Sequence, residues 1–420
     1  MISNVTCRRR VAATAAGFTA LALTGCGGGA KAGGGSAGGN TITLGVLAPF
    51  TGPNAQSATD LMKGINLAVK EVNAAGGAGG KQLKIVTGDT VSDPTDAVSA
   101  ASKLINADGA QIIIGPRTLT GPAVLPKTQQ AKVPELIVGG STVLDQNNDP
   151  YFFRTSPSDS QQGIAMAAYA AQKGYKRAAL AFEQQPAAQT LKAPITSAFT
   201  RHGGQIITTV DISPSQSSYR SEIQKLYSGN PDVIFTQISS QSASVFFPQV
   251  KQLEGLTKTP YIGSNTFDSS DFFTAIGPEI AKGPIYATQS SSTGGAGAKH
   301  FTEEYSKAYG TTQTANLADN VYDAVILAAL AVQKSGATTG PKVAQAVTEV
   351  SNPPGMTVSS YAEGLAALKA GQKINYDGAG GNVDFDKYHN VFGPYTVLHF
   401  DPAGKTQSVA QLPADLLSHY

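Results

Sequence analysis

Apolar residues recur along this chain in two alternating rhythms. Ile42-Thr-Leu-Gly-Val-Leu47 is a short apolar run of strand length. Beyond it, between Ser57 and Ala75, Leu61, Ile65, Ala68 and Val72 recur at spacings of three and four. That spacing predicts one buried face of a helix. Leu83 to Val86 predicts the next strand. Asp93-Pro94-Thr95-Asp96 predicts a helix start, with an aspartate N-cap, proline at the first helical position and an acid in the first turn. Gln111 to Ile114 and Glu135 to Val138 read as further buried strands. The alternation returns at Ala178 to Phe182, Gln205 to Val210, Val233 to Thr236 and Tyr261-Ile262. Strands separated by helices imply right-handed crossovers and parallel sheets covered on both faces. The expected class is therefore α/β. Roughly a dozen strands exceed a comfortable single open sheet, so two sheets are expected.

In open parallel sheets, ligands sit beyond the carboxyl ends of the strands, near helix N-termini. The loops at those positions run 48–56, 115–121, 139–143, 183–189, 237–241 and 263–269, and they are rich in Ser, Thr, Gln and Asn. One such loop is ordinarily only a wet surface. Their recurrence at a single kind of position predicts a polar binding cleft. Arg117 follows Gly115-Pro116 directly. There its guanidinium either meets a ligand carboxylate in bidentate fashion, stands in solvent, or pairs with a neighbouring acid.

The first residues follow a different logic. Arg8, Arg9 and Arg10 precede an apolar stretch from Val11 to Leu23, shorter than the roughly 20 residues a spanning helix needs. The order is that of a signal peptide, and it ends in Leu23-Thr24-Gly25-Cys26. This resembles a bacterial lipobox, whose cysteine takes a diacylglyceryl group and becomes the new N-terminus. The expectation is a signal over 1–25, a lipid on Cys26 and a glycine-rich tether over 26–40. The chain has two cysteines, Cys7 and Cys26, so none remains for a disulfide or a cysteine metal site in the folded part. Three of the 31 basic residues lie in the signal, leaving 28 against 29 acids. That balance gives no electrostatic case for nucleic acid. The longest later apolar run, Ala324 to Val332, suits a buried helix.

The chain resembles the substrate-binding lipoproteins of branched-chain amino-acid-type ABC importers, the type I periplasmic binding proteins. The resemblance runs from Ile42 to Pro402. It is carried by Leu44-Gly-Val-Leu-Ala-Pro-Phe-Thr-Gly-Pro53, Gly64-Ile65, Glu71-Val-Asn-Ala-Ala-Gly-Gly77 and Ile114-Gly115-Pro116. It continues with Phe153-Arg-Thr-Ser-Pro-Ser-Asp159, Tyr322-Asp323-Ala324 and Tyr376-Asp-Gly-Ala-Gly-Gly-Asn-Val-Asp-Phe-Asp386. It implies two discontinuous lobes joined by three crossovers, placed at 41–158 plus 287–383 and at 159–286 plus 384–420. It also implies a ligand that bridges the lobes and closes the hinge, with the closed form docking on ABC permease subunits. The implied partners are a small-molecule ligand, those permease subunits and the membrane through the N-terminal lipid. The chain itself is expected to be monomeric.

In amino-acid-binding relatives, hydroxyls and backbone amides of lobe one hold the carboxylate, and the matching loops here offer Thr118, Thr120, Ser141 and Thr142. Lobe two supplies an acid for the ammonium and tyrosines for the side chain. Here Asn265 stands at the acid's position, with Asp268 and Glu183 as neighbouring replacements. Glu183-Gln184-Gln185-Pro186-Ala187 lacks the expected tyrosine and leaves Gln185 as a polar contact. Ser57 stands where relatives often carry an aromatic residue. Arg154 falls in an inter-lobe crossover, where a structural role is expected.

Catalytic signatures are absent from this pattern. Gly76 to Lys81 follows a helix and lacks the Ser or Thr a phosphate loop requires. The five histidines are isolated in sequence, without metal-ligand spacing. There is no nucleophile elbow. Asp384 and Asp386 are spaced to share one face of an expected strand. The expectation is a solute-binding protein without cofactor, metal or enzymatic activity, for transport or, on the same fold, for sensing.

Overall fold

The computed structural model describes residues 39–420 apart from 53, 256–258, 292–293 and 418. The expected signal segment, Cys26 and the tether up to residue 38 lie outside the described residues.

Strand β1 (Thr41–Ala48) buries Ile42, Leu44, Val46 and Ala48 in one apolar cluster and Leu47 in another. A strand buried on both faces belongs inside a parallel sheet. β1 pairs in parallel with β2 (Gln82–Asp89) and β3 (Ile112–Ile114), and the sheet continues through β4 (Glu135–Ile137) to β5 (Phe152–Arg154). Its order is β2-β1-β3-β4-β5. The second sheet holds β6 (Arg177–Glu183), β7 (Gln205–Ile212), β8 (Val233–Gln237), β9 (Tyr261–Gly263) and β10 (Ile285–Ser290), all parallel. Three short strands, β11 (Met356–Val358), β12 (Ile374–Gly378) and β13 (Gly381–Asn382), form a separate small sheet. The chain then returns to the second sheet with β14 (Tyr395–Phe400) and β15 (Thr406–Leu412), antiparallel additions beside β10.

Helices cover the sheets as the spacing predicts. Helix α1 (Ala55–Ala74) buries Leu61, Ile65, Ala68 and Val72, and packs on the apolar helix Ala318–Ser335 that holds the run at 324–332. Gly64 lies at their contact, where a Cβ would stand 2.0 Å from the Ala318 carbonyl oxygen. Only glycine allows that approach. Helix α2 (Pro94–Asn106) starts as expected, with Asp93 accepting from Thr95 N (2.7 Å) and Asp96 N (3.1 Å). Helix α3 (Gly121–Ala131) follows the loop after β3, and helix α4 (Asp159–Gln172) follows the passage after β5. No helix among the described residues is long and apolar enough to cross a membrane.

Between Arg154 and Asp159, between Ser290 and Ala296, and between Asn382 and Tyr395 the chain passes from one sheet's layer to the other. Arg154 fastens the first passage to the last. It is fully buried and donates to Asn390 Oδ1 (2.9 Å), the Ser141 carbonyl (2.9 Å) and Asp145 Oδ1 (2.5 Å). The boundary expected at 286/287 falls inside β10, which pairs with β9 and β14 in the second sheet. Phe385 and Val391, beyond the boundary expected at 383, pack in the core of the first lobe. Asp384 and Asp386 lie in irregular chain rather than on the expected strand, and Asp386 closes a turn by accepting from Tyr388 N (2.8 Å) and Asn390 N (2.9 Å).

Candidate ligand-binding site

The carboxyl ends of the lobe-one strands carry two loops that support each other. After β3 the chain turns through Gly115-Pro116, and Arg117 N donates to Thr120 Oγ1 (3.0 Å) while the Arg117 carbonyl accepts from Gly121 N (2.7 Å). Thr118 Oγ1 then accepts from Gly140 N (3.0 Å), tying this loop to the one after β4. The Arg117 side chain turns toward α1 and donates from Nη1 to Ser57 Oγ (2.7 Å). At α4, the Asp159 N–H donates to the Gly140 carbonyl (2.8 Å), and its Oδ2 accepts from Thr190 Oγ1 (3.1 Å).

These groups open on one cavity of about 240 Å³ between the lobes. Arg117, Thr118 and Gly140 line it from lobe one, Ser156 and Ser158 from the first crossover, and Asp159, Gln237 and Asn265 from lobe two. Its size suits a small solute, below the range typical of drug-sized ligands. Burial holds the Arg117 guanidinium below its ordinary value, with Asp159 and Asp60 acting the other way; an arginine stays charged regardless. Burial pushes the Asp159 carboxyl up to about 6, opposed by Thr190, Arg154 and Arg117 and assisted by Asp145. The Ser156 hydroxyl is buried without a hydrogen-bond partner among the described residues. Such a group is costly unless something completes it.

The structure brings together some of the residues expected from the sequence and separates the rest. Arg117, Thr118 and Asn265 line the cavity, and Ser57 supports Arg117. Thr120 is turned inward, its hydroxyl spent on the Arg117 N–H. Ser141 is buried beside the cavity, and its carbonyl serves Arg154. Thr142 lines a separate surface groove with Val143, Ser160 and Thr190. Glu183 accepts from Ser239 N (3.0 Å), Ser239 Oγ (2.9 Å), Gln185 Nε2 (3.0 Å) and the Ser242 hydroxyl, which leaves no free lone pair aimed at a ligand. Gln185 is correspondingly its clamp. Asp268 faces β15, where burial raises its carboxyl against a hydrogen bond from Thr406. Sequence reading missed Asp159, Ser156 and Gln237. Asp159 stood in the quoted crossover motif, but an acid in the first turn of a helix is ordinarily explained by the helix dipole alone.

Comparison with known proteins adds a family and several neighbours. The family model described as periplasmic binding protein matches residues 41–405. A chemotactic signal transduction system substrate-binding protein of Halobacterium salinarum is 27% identical over 379 residues, covering 87% of this chain and 88% of its own. A Leu/Ile/Val-binding protein of Rhizobium johnstonii is 26% identical, over 70% of this chain and 80% of its own. Among solved structures, a leucine-binding protein of Thermotoga maritima superposes with a TM-score of 0.73 at 22% identity, covering 89% of this chain and 99% of that one. An R. palustris ABC-transporter solute-binding protein in complex with benzoate does so with a TM-score of 0.70 at 20% identity, covering 89% and 97%.

Proposed function

The chain belongs to the periplasmic binding protein family, and from that premise we propose that it captures a small carboxylate-bearing solute outside the cytoplasm for an ABC importer. One observation carries the ligand class: Arg117 lines the inter-lobe cavity with no acid in ion-pair contact among the described residues. Ser57 takes one of its donors, and a carboxylate offers two oxygens to the rest of the guanidinium fork. Thr118 and Ser156 stand beside it as hydroxyl partners. The amino-acid and benzoate ligands of the structural neighbours both carry this group, which agrees with the assignment. Binding in this reading involves no chemical step. A ligand held by both lobes stabilises their closed arrangement, since it makes contacts that the open one lacks. The lipobox resemblance supports an acyl anchor at Cys26 that tethers the protein to the membrane.

A thermal-shift screen over amino acids, amides, aromatic acids, polyols and nucleosides tests the ligand class. A ligand at 100 times its dissociation constant stabilises by about 2.7 kcal/mol, so carboxylates should stand out and neutral polyols should not. The Halobacterium relative favours a second reading, in which the same capture feeds a membrane sensor. Loss of ligand uptake on deletion supports transport; intact uptake with a lost behavioural response supports sensing.

A further inference from the structure

Asp145 does not line the ligand cavity, yet three parts of the molecule meet on it. Its Oδ1 accepts from Arg154 Nη2 (2.5 Å), at the start of the first passage. Its carbonyl accepts from Asn390 Nδ2 (2.9 Å), on the last passage. Its Oδ2 accepts from Ser160 Oγ (2.5 Å), in the first turn of α4 in lobe two. The backbone just before Asp145 is tied as well. Leu144 is buried with Ile137 and Phe152 in lobe one, and the Ser141 carbonyl accepts from Arg154 Nη1 (2.9 Å). Lobe one therefore presents the Asp145 carboxylate as a fixed acceptor, and lobe two brings the Ser160 hydroxyl to it.

Both residues line a groove of about 490 Å³ beside the cavity, where Thr142 and Val143 of lobe one lie across from Ala193 and Pro194 of the helix Lys192–Arg201 in lobe two. Val143 is 73% exposed there, so apolar packing adds little across this flank. The lobe-two wall is one body: a Cβ on Gly163 of α4 would stand 2.9 Å from Pro194 Cγ, so the two helices are in close contact. A swing of that wall away from lobe one takes Ser160 off Asp145. We propose that the Asp145–Ser160 bond is a latch that sets the balance between open and closed lobes, and through it the affinity for every cleft ligand, without touching any of them. The proposal rests on the hinge reading above. A carboxylate acceptor makes this bond stronger than one between neutral groups. Apparent affinity scales with the population of the binding-competent state, so the latch multiplies the affinities of chemically different ligands by one common factor. A backbone bond from Asp159 N to the Gly140 carbonyl (2.8 Å) lies alongside, and it is kept when the Ser160 hydroxyl is removed.

The test titrates L-leucine, L-glutamine and benzoate into wild type, Ser160→Ala and Ser160→Thr by calorimetry. Ser160→Ala should weaken each probe that binds by the same factor, about tenfold. Ser160→Thr keeps the hydroxyl, has the groove to receive its methyl group, and should restore wild-type affinity. Lobe separation is followed in parallel by double electron–electron resonance. Spin labels sit on Gln130→Cys in α3 and on Gln224→Cys in the helix Arg220–Tyr227, with Cys7 and Cys26 replaced by serine. Without probe, Ser160→Ala should lower the ratio of short to long separations by about tenfold relative to wild type. Unchanged affinity in Ser160→Ala, or a loss that differs from probe to probe, overturns the latch and leaves hinge closure standing. A wild-type separation that stays the same on binding removes the hinge reading and the latch with it. If none of the three probes binds wild type, the separations without probe decide, and identical distributions in wild type and Ser160→Ala overturn the proposal.

Discussion

Glu135 shows how a single buried residue sets a pH dependence. It is fully buried on β4, its Oε1 has no hydrogen-bond partner among the described residues, and its Oε2 lies 2.6 Å from Thr128 Oγ1. The Thr128 hydroxyl is shared between Glu135 Oε2 and the Leu125 carbonyl (2.9 Å), and its donation to the carboxyl opposes the effect of burial. Burial, with Asp149 acting in the same direction, pushes this carboxyl from 4.5 up to about 8. The folded chain thus holds a proton that the unfolded chain releases. The resulting stability is fully present below pH 4.5 and is lost as pH rises through about 8. The loss is on the order of 5 kcal/mol. Glu135→Gln keeps the hydrogen-bonding shape without the titration. Denaturant unfolding from pH 5 to 9 should therefore show a falling stability for wild type and a flatter profile for the variant. Parallel profiles would refute this account. The same residue shows a limit of sequence reading: Glu135 stood inside a run read correctly as a buried strand, but nothing in the run says that an acid can be accommodated there as its neutral form.

At the scale of elements, Asp323 joins the apolar helix Ala318–Ser335 to the turn between β12 and β13. Its carboxylate accepts from Tyr376 Oη (2.8 Å), Ala379 N (2.7 Å) and Gly380 N (2.8 Å) in the interior. This explains why Tyr322-Asp323-Ala324 and the glycine-rich 376–386 segment belong together although they are far apart in sequence. Asp323→Ala should cost roughly 2–4 kcal/mol, because it leaves buried N–H groups unpaired. An unfolding midpoint unchanged from wild type would refute the assignment. The helices with a sharp period or cap, α1 and α2, were legible in sequence because burial of one face and satisfaction of the first N–H groups are local demands. β15 was not legible, since Thr406–Leu412 is a largely exposed edge strand whose partner β14 decides its conformation. The loops after β3 and β4 were legible as site loops from their place behind strands, which found Arg117 and Thr118. That logic could not sort Glu183 from a ligand contact, because a strand-end acid looks the same whether it faces a cleft or Ser239 and Ser242 at the start of the helix after β8.

Across the whole molecule, two sheets share three passages of chain, and Arg154 ties the first passage to the last and to the loop beside the cavity. A ligand that bridges Arg117 and the lobe-two wall should therefore bring the lobes together without folding new structure. Small-angle scattering should give a smaller radius of gyration with saturating ligand, while circular dichroism stays unchanged; an unaltered radius despite proven cleft binding would refute hinge closure. The anchor has its own test. Cys26→Ser should move the protein from the membrane fraction to the soluble one, and retention on the membrane without lipid labelling of wild type would refute lipidation. The central claim, capture of a carboxylate by Arg117 in the cleft, is tested most directly by calorimetric titration of the tightest carboxylate ligand into wild type and Arg117→Ala. A charge-assisted pair contributes roughly 1.5–3 kcal/mol, so the account predicts one-to-one binding by wild type and affinity weaker by about one to two decades in the variant. Equal affinity in a folded Arg117→Ala protein would contradict it.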